Sequence, residues 1–96
     1  MSASTTWLVN PANPLLFAAW PDEEWVVVYQ PASGDTHLIS TVGVAVLELL
    51  HQPLGAVAVF KALFPDDEPV KSAVATLRSN FLIHFEQLGL IQKSLS

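Results

Sequence analysis

The hydrophobic pattern changes period once along this chain, near Ser40. Before that point the pattern is extended. Trp25-Val26-Val27-Val28-Tyr29 is a β-branched and aromatic run, the composition that suits a pleated surface. Pro31-Ala32-Ser33-Gly34-Asp35 follows, and each of its proline, serine, glycine and aspartate residues favours a turn. Thr36-His37-Leu38-Ile39-Ser40 resumes the extended pattern, with Thr36, Leu38 and Ser40 on one face and His37 and Ile39 on the other. Upstream, Leu15 to Trp20 fits helix or strand by periodicity, but Pro14 and Pro21 leave six residues between them, a strand's length. Pro21-Asp22-Glu23-Glu24 reads as a turn. The pattern therefore predicts three antiparallel strands, at about 15–20, 25–30 and 36–40.

After Ser40 the spacing becomes helical. Ser40 or Thr41 serves as N-cap, and Val42, Ala45, Val46, Leu49 and Leu50 fall on one helical face before His51-Gln52-Pro53 ends the segment. A second helix over about 54–64 presents Leu54, Val57, Ala58, Leu63 and Phe64. The third and longest spans about 69–88, with Pro69 at its first position and Asp66-Asp67-Glu68 complementing its positive end. Val70, Val74, Leu77, Phe81, Phe85 and Leu88 form a 3-4 stripe along it. Gly89 suits the C′ position, with Leu90-Ile91 closing back as its hydrophobic contact. Residues 1–13 form an N-terminal arm, a frayed start or a short edge strand, with Trp7 as a lid over the core. Residues 92–96 read as a flexible tail. The fold class is α+β, with three antiparallel strands followed by three helices in a winged helix-turn-helix-like order.

Composition narrows the chemistry. Ninety-six residues make one core, and 51% hydrophobic against 14% charged residues predicts a folded domain. No apolar run approaches the roughly 20 residues of a membrane span, and the N-terminal stretch lacks a secretory pattern, so a cytoplasmic setting is expected. With no cysteine there is neither a disulfide framework nor a thiolate ligand. Four Lys/Arg against nine Asp/Glu, a net charge of −5, lack the basic footprint of nucleic-acid binding.

No reaction is legible. Ser33, Asp35 and His37 have the residue types of a hydrolytic triad, but turn chemistry accounts for Ser33-Gly34-Asp35, and a triad needs specific spatial links. His37, His51 and His84 show no metal-ligand spacing, and neither a metal nor a cofactor is expected. The acidic groups at 22–24 and 66–68 read as solvated turns, and the four glycines are too scattered for a phosphate loop. What the pattern offers is a strand edge beside helices, a place to bind something extended.

Val26-Val27-Val28-Tyr29, Ser33-Gly34-Asp35-Thr36-His37-Leu38, Leu47-Glu48-Leu49-Leu50 and the closing Leu88-Gly89-Leu90-Ile91 together resemble the PqqD-like small proteins of the HPr-rel-A type. The resemblance covers residues 14–91, the predicted domain. PqqD-like domains are peptide chaperones, or RiPP recognition elements, which hold the leader of a ribosomally made precursor peptide and present it to a modifying enzyme. The resemblance implies a non-enzymatic module of natural-product biosynthesis whose leader adds as a strand along Thr36, His37, Leu38, Ile39 and Ser40. It also implies that the leader packs against Val74, Leu77, Arg78 and Phe81, with Arg78 pairing an acidic leader residue or serving as a surface charge. The partners would be a precursor peptide and a peptide-modifying enzyme or kinase-like protein. The rival is a docking or regulatory subunit of a kinase-like or transferase partner. A winged-helix transcription factor is a poorer third reading, disfavoured by the charge. An unpaired edge also invites homodimerisation through the same strand.

Overall fold

The computed structural model describes residues 5–94. Thr6–Leu8 (β1), Leu16–Ala19 (β2), Trp25–Gln30 (β3) and Asp35–Ser40 (β4) precede the helices Thr41–Leu49 (α1) and Ala56–Leu63 (α2). A long helical path then runs through Lys71–Leu77 (α3), a π-helical stretch Arg78–Ile83 and His84–Gln87 (α4), and Gln92–Ser94 (β5) closes the order. The architecture is α+β. A three-stranded antiparallel sheet, in the order β2-β3-β4, stands beside three helical segments.

Two turns hold the sheet. Around Gln30 the chain reverses tightly, with the Gly34 N–H donating to the Gln30 carbonyl at 2.7 Å and Gly34 at φ 77°. The β2–β3 turn is closed by the Glu23 N–H donating to the Trp20 carbonyl at 3.1 Å. The alternation predicted for residues 36–40 is present: Ile39 is buried, whereas Thr36 and Leu38 are exposed. On β3, Val26, Val28 and Gln30 turn inward. The passage from strand to helix is abrupt. Ser40 is still extended at φ −64° and ψ 160°, and its hydroxyl accepts the Gly43 N–H at 3.1 Å, which makes it the N-cap of α1.

The core lies between the inner sheet face and the helices. Val28, Val46, Leu50, Val59 and Leu82 are fully buried at its centre, each contributing about 1.5–3 kcal/mol through the removal of apolar surface from water. Gly43 is where α1 approaches β4 most closely. An ideal Cβ there would lie 2.6 Å from Ile39 Cγ2 and 3.0 Å from Phe85 Cζ. The small residue thus lets strand, first helix and last helix meet.

Three expectations change. The long helix begins at Lys71 with Val70 as N-cap, so Pro69 precedes the cap instead of occupying the first helical position. The regular stripe is interrupted by the π-helical stretch. Its wider turn puts Leu82 in the centre of the core five residues after Leu77, and Phe81 is left only partly buried. Of the two readings of the arm, the short strand is the one present, because β1 pairs with β5 through Thr6↔Ser94, Trp7↔Lys93 and Leu8↔Gln92. The same pairing corrects the flexible tail: Gln92–Ser94 is a strand, while residues 95 and 96, like residues 1–4, lie outside the described part. Trp7 is buried, and its indole Nε1–H donates to Glu86 Oε1 at 3.3 Å. The helix terminus follows the predicted form. The Leu90 N–H reaches the Phe85 carbonyl and the Gly89 N–H the Glu86 carbonyl, with Gly89 at φ 79°, a left-handed conformation that costs a side-chain-bearing residue steric energy.

Candidate functional site

β4 is one edge of the sheet, paired only with β3 among the described residues. Which of its backbone groups face outward follows from ladder parity. The Thr41 N–H donates to the Glu24 carbonyl at 3.3 Å, one step beyond the Trp25↔Ser40 pair. Antiparallel pairs alternate between bonded and non-bonded, so Ile39 and His37 direct their N–H and C=O toward β3, while at the turn the Asp35 N–H meets the Ser33 hydroxyl. Thr36, Leu38 and Ser40 direct theirs outward. A segment added along β4 would meet the N–H and C=O groups of Thr36 and Leu38 and the N–H of Ser40, whose carbonyl belongs to the first turn of α1. The same parity gives β2 an outward set at Phe17 and Ala19, but that strand has only four residues. Phe17 also lines a concavity of about 240 Å³ with Pro11, Pro14, Leu47 and His51.

The predicted helix residues are not gathered at this edge. Leu77 is a core side chain and is covered on all sides. Val74 and Arg78 line a concavity whose other walls are Ala56 and Val57 of α2, with Pro69, Lys71 and Ala75. Arg78 also lines a second hollow with Thr5, Trp7, Gly55 and Lys61. Neither hollow contains a β4 residue. Phe81 is partly buried with its ring edge-on to Phe85 at 5.9 Å, and it is Phe85 that approaches Gly43 beside Ile39. The resemblance implied all of them beside β4; Leu77 is instead taken by the core, and Val74 and Arg78 lie on the flank of the long helix that faces α2.

Ser33, Asp35 and His37 are held apart in chemistry. The Ser33 hydroxyl accepts the Asp35 backbone N–H at 3.4 Å, a local turn bond. His37 turns to the inner face, where its Nε2 lies 2.7 Å from Gln30 Oε1. The Gln30 amide nitrogen in turn donates to the Gly89 carbonyl at 3.0 Å. Since a carbonyl only accepts, the amide orientation is set and Nε2 of His37 carries the donated proton. His37 is thereby a structural link between β4, β3 and the helix terminus. His51 Nδ1 bonds the Glu48 carbonyl and the His84 ring lies beside Phe85, so the three histidines do not converge. Among the described residues no group of three or more His, Cys, Asp or Glu is placed to hold a metal, and no helix is long and apolar enough to cross a membrane.

Sequence reasoning missed the outer face of the sheet. Leu16, Trp20, Trp25, Val27, Tyr29 and Leu38 share it, and all but Val27 are large exposed apolar side chains. A signal was present: β3 is apolar at Trp25, Val27 and Tyr29 as well as at Val26 and Val28, so it has no polar face. No family model, curated protein or solved structure matches this chain.

Proposed function

We propose that this chain is a non-enzymatic peptide-binding module of winged helix-turn-helix-like form, which holds a precursor or leader peptide by strand addition and presents it to a modifying enzyme. The observation that carries the reading is the open β4 edge, with the backbone groups of Thr36, Leu38 and Ser40 facing outward. An extended peptide satisfies those groups while its alternate side chains find apolar surface at Leu38 on the outer face of the strand. His37 and Ile39 support the strand from inside. Leu77 is left out of the contact set because it is buried in the core, and Val74 and Arg78 because the hollows they line contain no β4 residue. The charge is consistent with a protein or peptide partner in a cytoplasmic setting and unfavourable for nucleic acid.

An amide NMR titration of the labelled domain with short peptides encoded beside its gene tests this. Saturable shifts along residues 36–40 are expected, lost in Leu38→Pro and retained in Leu38→Ala. Proline removes the outward N–H, while alanine keeps it. Shifts that survive Leu38→Pro in a folded domain would move the site elsewhere. The exposed apolar sheet face favours a second reading, a docking subunit of a kinase-like or transferase enzyme, and an absence of shifts with every peptide would select it.

A further inference from the structure

The outer face of the three-stranded sheet has no covering layer among the described residues. Register places Leu16 beside Tyr29, and Ala18, Val27 and Leu38 in one cross-strand row. Trp25 follows at the end of that face. Trp20 joins it, since Trp20, Trp25, Val27 and Leu38 together line a concavity of about 560 Å³. Leu38 is 67% exposed, Leu16 56%, Trp20 54% and Trp25 51%. A folded chain of this size rarely leaves so many large apolar side chains contiguous in water without a partner for them. Two tryptophans and a tyrosine are also the residue types that concentrate binding energy at protein interfaces.

Charge selects the occupant. Asp22, Glu23, Glu24 and Asp35 lie on the sheet or its turns, and Asp22 and Glu23 line the tryptophan concavity itself. All four Lys/Arg residues are elsewhere: Lys61 on α2, Lys71 on α3, Arg78 on the π-helical stretch and Lys93 on β5. A second copy packed face to face would set carboxylates against carboxylates with no cation of its own to answer them, which disfavours self-association. An anionic membrane is disfavoured for the same reason.

We infer that the Trp20–Trp25–Leu38 face of the sheet docks a polypeptide segment that is apolar with arginine or lysine at its flank. The apolar part covers Val27, Leu38 and Leu16. The cation sits between the indole faces and the Asp22 and Glu23 carboxylates, where cation–π attraction and charge pairing act together. This surface shares Leu38 with β4 but lies on the outer face of the sheet, apart from the outward backbone groups of the edge, and does not depend on that edge receiving a peptide.

The test uses two nine-residue peptides in which leucine alternates with arginine or, in the control, with glutamate, titrated against the labelled chain. Indole N–H signals are the readout, and buried Trp7 is an internal reference. The arginine peptide is expected to shift Trp20 and Trp25 saturably, leave Trp7 unmoved and bind at least about tenfold more tightly than the glutamate peptide. Trp25→Ser, at an exposed position, should abolish the binding with the fold intact, and Thr36→Pro should leave it unchanged. Equal affinity for the two peptides would overturn the proposal. So would loss of binding in Thr36→Pro but not in Trp25→Ser, which would assign the probe to the strand edge. Sedimentation showing a dimer that Trp25→Ser converts to monomer would likewise overturn it in favour of a second copy. Failure of leader peptides to shift β4 bears on the peptide-module reading alone.

Discussion

His37 Nε2 and Gln30 Oε1 lie 2.7 Å apart on the inner face of the sheet, bridging β4 to β3, and the other end of the Gln30 amide holds the Gly89 carbonyl at 3.0 Å. Gln30 is the buried polar side chain among the described residues, at 9% exposure, so both ends of its amide need partners. Gln30→Leu would leave the Gly89 carbonyl and the His37 ring nitrogen without this partner. We expect a loss of about 1–3 kcal/mol in denaturant unfolding. His37→Leu should cost less, because the Gly89 bond survives, and the double variant should fall short of the sum. An additive double-mutant cycle would show that the two side chains act independently.

Ladder parity makes neighbouring residues of β4 unequal toward proline. Leu38→Pro deletes an outward N–H, whereas Ile39→Pro deletes an N–H bonded to β3 together with a buried side chain. The second should lose about 2–5 kcal/mol from burial alone, with the ladder bond in addition, and the first should retain a dispersed amide spectrum. If Leu38→Pro unfolds the domain and Ile39→Pro does not, the outward and inward sets are exchanged.

Gly43→Ala tests the close approach of α1, β4 and the long helix. Alanine has the better helix propensity by about 1 kcal/mol, yet its Cβ would meet Ile39 Cγ2 at 2.6 Å. Isoleucine is stiff at χ1 and cannot swing aside without moving the strand. Thermal and denaturant unfolding should therefore report a net destabilisation of about 1–3 kcal/mol, as overpacking does elsewhere. A gain in stability would mean that helix and strand separate more easily than this geometry implies.

The π-helical stretch predicts an order among core truncations. Leu82→Ala removes a fully buried side chain and should cost about 2–5 kcal/mol. Phe81→Ala, at a partly buried position, should cost less despite the larger side chain. A regular 3-4 stripe demands the reverse ranking, so measuring both variants by equilibrium unfolding separates the two arrangements.

The local pattern of this chain determined a good deal. The β-branched run at 25–29 and the turn residues at 31–35 specify a hairpin, because their backbone preferences act within a few residues. An N-cap at Ser40 or Thr41 and Gly89 as the C′ residue were legible for the same reason, since capping bonds span three to five positions, and the structure selects Ser40. The alternation of Thr36, Leu38 and Ser40 against His37 and Ile39 followed from strand geometry. Three features depended on tertiary structure. Pairing of Thr6–Leu8 with Gln92–Ser94 joins segments from opposite ends of the chain, and neither has a pattern that names the other. The π-helical turn that puts Leu82 rather than Phe81 at the centre of the core has no glycine or proline within Arg78–Ile83 to announce it. Whether an apolar strand face is covered is also a nonlocal matter. Trp25, Val27 and Tyr29 look like core residues in sequence, and they face outward because the helices, all following Ser40, pack on the opposite side of the sheet.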